Sequence, residues 1–83
     1  MKRIKGEKCS LSDLKVGQNA RILEINIRDL DLKRHLLEMG LIKNTSVNIK
    51  KIAPFGDPVV IEIRGYEMFL EKYLLKWIFV EVI

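Results

Sequence analysis

Three groups of side chains in this sequence are of types that do chemistry. The first could bind a transition metal: His35 and Met39 stand four residues apart, a spacing that puts an imidazole and a thioether on one face of a helix, with Glu38 beside them and Cys9 as the single thiol of the chain. The ligand supply is poor, because one histidine and one cysteine far apart in sequence do not make a closed coordination shell. Met39 also continues an apolar stripe with Leu32 and Leu36, and an isolated cysteine is most simply a small, semi-buried apolar residue. The second group is cationic. Lys33 and Arg34 precede His35 and form a basic segment that would steer an acidic protein surface, or else a solvated helix face that aids solubility. The third group is apolar and aromatic. Phe55, Gly56 and Asp57 sit between two β-rich runs, and Phe69, Tyr73 and Leu74 gather near the C-terminal end, where a helix over 70–76 would spread them over an arc too broad for a small core to cover. The competing reading of that last group is that Leu70, Leu74 and Trp77 complete the core.

Catalysis finds no support in these groups. His35 has no serine, cysteine or carboxylate at a spacing that implies a triad, and no Gly-x-x-x-x-Gly-Lys-Ser/Thr loop is present to cradle phosphates. The expectation is a protein that acts by contact and is not an enzyme.

The elements that must position these residues follow from periodicity and turn chemistry. Ser10 or Ser12 caps a single turn from which Leu11 and Leu14 pack inward. Ile22, Ile25 and Ile27 mark a first strand over 19–27 with imperfect alternation. Asp29 or Asp31 caps a short helix that Gly40 ends in the left-handed conformation. Lys43 and Asn44 make a turn, and Val47 and Ile49 alternate with polar residues as a second strand. A hairpin connection at 54–58, with Gly56 at an unusual φ and Pro58 at the start of a strand, leads to Val59, Ile61 and Ile63. Gly65 breaks the next turn, residues 66–69 extend the sheet, 70–76 contain helix formers, and Ile78, Val80 and Val82 form a last strand. About five short strands with one or two short helices point to a mainly β, partly open barrel.

Composition sets the bounds. With 83 residues, 48% apolar and 31% charged, the chain is one small folded domain spanning 1–83, in which the basic segment 1–8 is either an edge strand or without fixed structure. A net charge of +4 favours an acidic partner, whether a nucleic acid, a lipid headgroup or a protein face. One cysteine suits a reducing compartment, no apolar run approaches the ~20 residues of a membrane span, and the basic start lacks the apolar core of a signal peptide, so a cytoplasmic location is expected.

Taken in order, Leu11-Ser12-Asp13-Leu14-Lys15, Gly17-Gln18, the run from Lys33 to Leu41 ending in Met39-Gly40-Leu41, Ala53-Pro54-Phe55-Gly56-Asp57-Pro58 and Arg64-Gly65-Tyr66 resemble the FeoA family over residues 9–82. The resemblance implies an SH3-like barrel and a cytoplasmic accessory of ferrous-iron uptake that works with the membrane GTPase transporter FeoB. It implies no required cofactor, although the domain type is associated with transition metals such as iron or zinc. Docking would then fall to Lys33, Arg34, Phe55, Gly56, Asp57, Phe69, Tyr73 and Leu74, with His35, Met39 and Cys9 as metal candidates, and self-association is open. Phe69, Tyr73 and Leu74 put apolar groups where the family usually carries polar ones. The competing class is a small basic nucleic-acid-binding barrel in which Tyr66, Phe69 and Tyr73 stack bases beside Lys72 and Lys76. Its weakness is that Glu67 and Glu71 are interleaved with those aromatics.

Overall fold

The computed structural model describes residues 4–83. Its elements in chain order are β1 (Lys8–Ser10), a 3-10 turn (Leu11–Asp13), β2 (Asn19–Ile25), α1 (Leu30–Glu38), β3 (Ser46–Ile52), β4 (Val59–Ile63), β5 (Tyr66–Leu70), α2 (Lys72–Leu75) and β6 (Ile78–Val82). The strands form one six-stranded sheet in the order β1-β6-β2-β3-β4-β5, with every neighbouring pair antiparallel. The sheet wraps a single core without closing on itself. That makes six strands where about five were expected, because residues 8–10 pair with Phe79–Glu81 of β6. Residues 1–3 of the expected basic segment lie outside the described residues.

The imperfect alternation of the first strand has a structural cause. A register shift between Ile22 and Glu24 against β6 inserts an extra residue, so Ile22 and Ile25 both face the core although they are three apart. A second shift, between Ile49 and Lys51 against β4, bends β3 in the same way and turns Ile52 outward. Beyond β2, Ile27 is buried as well. The core it joins is aliphatic, built around Leu11, Ile22, Ile49, Ile61, Ile78 and Val80, and among the described residues it contains no buried polar or charged side chain. Arg21 and Glu81, opposite each other on β2 and β6, close an ion pair on the outer face.

Of the two expected caps, Asp29 and Asp31, Asp29 starts α1: its Oδ1 accepts the N–H groups of Asp31 and Leu32, both at 3.1 Å. Its end is a Schellman motif in which the Leu41 N–H donates to Leu36 O and the Gly40 N–H to Leu37 O, with Gly40 at φ +104°. The expected helix over 70–76 is shorter. Leu70 instead ends β5, paired with Val59 and buried, because its side chain completes the core-facing row that Met68 begins. Helical spacing therefore begins only after Glu71.

A Cβ on Gly40 would lie 3.0 Å from the Tyr66 hydroxyl and 3.2 Å from Arg64 Cδ. Gly40→Ala is expected to cost about 1–2 kcal/mol through left-handed backbone strain together with that crowding, measured as a shift in urea midpoint at unchanged m-value.

Candidate functional site

The β3–β4 connection projects one apolar side chain and fastens the rest. The Gly56 N–H donates to Ala53 O at 2.7 Å, and the Ala53 N–H donates to Pro58 O at 3.2 Å, so the loop is internally bonded. Asp57 reaches across to α2, where its Oδ1 accepts the Lys72 N–H at 2.7 Å. Glu71, at the start of that helix, supplies no side-chain cap of its own, and Asp57 takes that place from the hairpin. Gly56 holds φ +88°. Of the three hairpin residues assigned to docking, Gly56 and Asp57 thus shape the loop, Asp57 remaining exposed, and Phe55, 99% exposed, is the apolar one presented to solvent.

The C-terminal apolar group is divided among three places. Phe69 lies on the outer face of β5, 64% exposed, and lines a groove of about 360 Å³ with Pro54, Pro58, Val60 and Lys50. Tyr73, 57% exposed, faces a different groove of about 230 Å³ between α2 and the start of α1, together with Leu32, Trp77 and Arg28. Leu74 is only 6% exposed and belongs to the core, which corrects its assignment as a surface contact. The reason is the change from strand to helix at Glu71, which turns Phe69 and Tyr73 onto different faces and leaves Leu74 and Leu75 to cover the barrel.

Lys33 and Arg34 are adjacent but not equivalent. Lys33 is half-buried on α1, while Arg34 is exposed and its Nη2 donates to Asp31 Oδ1 at 2.8 Å. Consecutive helix positions point about 100° apart, so the two cations do not form one patch. Sequence reasoning passed over Leu30, 75% exposed at the first position of α1; Trp77, which one reading placed in the core, is 42% exposed, with Lys76 Nζ 5.4 Å from its ring centroid. Leu30 stands off the Leu32 and Leu36 stripe, and that was its only signal.

On the outer face of the sheet Lys50 Nζ lies 2.7 Å from Glu67 and 3.8 Å from Glu62. The hydrogen bond to Glu67, and then its charge, hold Lys50 above the usual lysine range. The metal candidates do not assemble. His35 and Met39 sit exposed on α1, whereas Cys9 is half-buried on β1 and faces a groove with Asp13, Glu24 and Lys76. Among the described residues no three His, Cys, Asp or Glu side chains come together as a metal-holding group. The base-stacking platform is also missing, because Phe69 and Tyr73 open on separate grooves and the Tyr66 hydroxyl lies against Gly40.

The fold is a small, open SH3-like barrel whose exposed apolar residues line shallow grooves. The chain belongs to the FeoA family: the FeoA domain matches residues 9–82. It is 34% identical over 62 residues to an Fe(2+) transport protein A/Fe(2+) transporter FeoB fusion protein of Porphyromonas gingivalis, an alignment covering 75% of this chain and 7% of that much longer one. A FeoA-like protein from Clostridium acetobutylicum superposes with a TM-score of 0.78 at 30% identity, over 98% of this chain and 91% of the other. FeoA of Stenotrophomonas maltophilia, described as a prokaryotic SH3 domain protein and solved with zinc, shares the fold at 21% identity, with a TM-score of 0.72 over 87% and 88% of the two chains. No helix among the described residues is long and apolar enough to cross a membrane.

The division of the C-terminal group has a direct check. Tyr73→Glu is expected to change stability by no more than about 1 kcal/mol, whereas Leu74→Glu places a charge in the aliphatic core and costs about 4 kcal/mol or more. Thermal melts of the two variants measure the contrast, and equal melting temperatures would contradict it.

Proposed function

We propose that this chain is a non-enzymatic, cytoplasmic accessory of ferrous iron uptake that docks on the cytoplasmic GTPase part of a FeoB-like transporter and modulates its assembly or activity. The observation that carries this reading is the Porphyromonas gingivalis relative, in which Fe(2+) transport protein A and the transporter FeoB are one polypeptide. Fusion holds two modules at a high effective concentration, which matters when they act on one another. The docking surface we assign is the groove between α1 and α2, with Leu32, Tyr73 and Trp77 as apolar contacts. We add Lys33 and Arg34 of α1 as further contacts, together with exposed Phe55 on the hairpin that Asp57 ties to α2. Charge at the rim then guides encounter, and the aromatic residues supply most of the binding energy.

The test is capture of the transporter's cytoplasmic GTPase part by the tagged chain. Tyr73→Glu and the double variant Lys33→Glu/Arg34→Glu are each expected to weaken capture about tenfold or more, equivalent to about 1.4 kcal/mol, while circular dichroism stays native. Undiminished capture by both folded variants would remove this groove as the docking surface.

Metal uptake by the isolated chain is expected to be weak, since His35, Met39 and Cys9 are not gathered. Calorimetry with Fe²⁺ and Zn²⁺ checks this. A stoichiometric site of submicromolar affinity that disappears in His35→Ala would instead make the chain a metal sensor.

A further inference from the structure

The two edges of the sheet are treated differently by the sequence. β1 is three residues long, carries Lys8 and runs directly into the Leu11–Asp13 turn, so it offers little to a passing strand. β5 is the opposite edge, and it has five residues with neither lysine nor proline. Its register with β4 is unbroken, whereas the β2–β6 and β3–β4 ladders both carry shifts. Of the usual devices that blunt an edge strand, proline, lysine and a bulge are missing from β5, and Glu67 is its one charge.

The backbone groups that this edge leaves open can be identified. Arg64 and Gly65, at φ +52° and +83°, form a two-residue turn between Ile63 and Tyr66. In such a hairpin the pair flanking the turn exchanges hydrogen bonds, and bonded and non-bonded pairs then alternate. Tyr66, Met68 and Leu70 therefore bond to β4, while the N–H and C=O groups of Glu67 and Phe69 point away from it. No turn or loop backbone bond of the described residues reaches either one. The side chains beside these groups include an apolar anchor: Phe69 is 64% exposed and lines a groove with Val60, Pro54 and Pro58, bordered by Lys50 and Lys51. The one charge on the strand, Glu67, is already matched by Lys50 at 2.7 Å.

We propose that β5 is a self-association strand, through which two copies of this chain pair antiparallel about a twofold axis at Met68. A second copy is the occupant that the register itself selects. Only registers that bring residues 67 and 69 of one copy opposite odd-numbered residues of the other use the outward groups. Pairing Glu67 with its own counterpart would set two carboxylates face to face, and pairing Phe69 with its own would set Glu67 opposite the second copy's Glu71. Pairing Glu67 with the second copy's Phe69 avoids both clashes and uses every outward group of the two residues. It also leaves the two phenyl rings as diagonal neighbours, within reach of each other. The contact is isologous and closes after one pairing, so it yields a dimer and no fibre. Each copy carries +4, and screening of that repulsion makes pairing strengthen with salt.

The strand is short, and the area falls below the ~1,200–2,000 Å² of a stable complex, so a weak dimer is expected. The test is sedimentation equilibrium of the full chain from about 10 µM to about 1 mM, combined with amide exchange followed by NMR at both ends of that range. A dimer fraction that rises with concentration and with salt is expected, together with at least tenfold slower exchange at the Glu67 and Phe69 amides in the concentrated sample. Phe69→Lys should remove the dimer while melting temperature and circular dichroism are kept. Glu67→Pro is the second variant: it deletes an outward N–H that the ladder to β4 does not use, and should do the same. A chain that stays monomeric throughout, a dimer whose Glu67 and Phe69 amides exchange as before, or a dimer that survives both folded variants would overturn the proposal. Protection of these amides in a monomeric chain only after addition of the transporter's GTPase part would also overturn it, and would give the edge to the transporter. Because Tyr73→Glu leaves β5 untouched, loss of capture in that variant and loss of the dimer in Phe69→Lys are separable results.

Discussion

A single aliphatic core has to be enclosed by one sheet that does not close, and the register shifts at Ile22/Glu24 and Ile49/Lys51 are what allow it. A regular strand of this length would alternate in and out and remain nearly straight. Each extra residue bends its strand and resets which side chains face inward. Thus Ile22 and Ile25 can both contribute to the core, and β2 can pair with β6 along its length while meeting β3 only over its first three residues. A chain of 83 residues has no second core to fall back on, so every other element is placed by what this sheet leaves uncovered.

The uncovered regions are filled by short pieces that cannot stand alone. α1 and α2 are nine and four residues long, below the length at which a helix holds itself in water. Each is retained by caps and by a few buried residues: Leu36 on α1, Leu74 and Leu75 on α2. Asp57 joins two of these pieces, because the hairpin that carries it supplies the amide acceptor that α2 lacks. The surface presented to a partner is consequently a by-product of how the core is capped. Leu30 and Tyr73, in the first turns of α1 and α2, are left with their side chains outside.

The proposed function requires only contact, and the fold supplies two separate places for it. The two proposals use the open sheet edge at β5 through its backbone and the groove between α1 and α2 through its side chains. Charge is dispersed, with Arg34 answered by Asp31 and Lys50 by Glu67, so the net +4 is not concentrated in a phosphate-binding stripe.

What the sequence determined by itself was everything governed by neighbours in the chain. The Asp29 cap, the left-handed Gly40, the Asn44 turn, the hairpin before Pro58 and the order of the strands are encoded within a few residues of where they act. The linear order of its motifs also made the family legible. Tertiary structure decided what depends on partners distant in the chain. Whether Leu74 faced out or in depended on where β5 ended, and that was settled by Leu70 pairing with Val59 across the sheet. The separation of Phe69 from Tyr73, the tie from Asp57 to Lys72, the match of Lys50 with Glu67 and the sixth strand at residues 8–10 are contacts between distant segments. Local propensity and periodicity hold no information about which distant backbone group will complete a ladder, because that choice is made by the burial of the whole core at once.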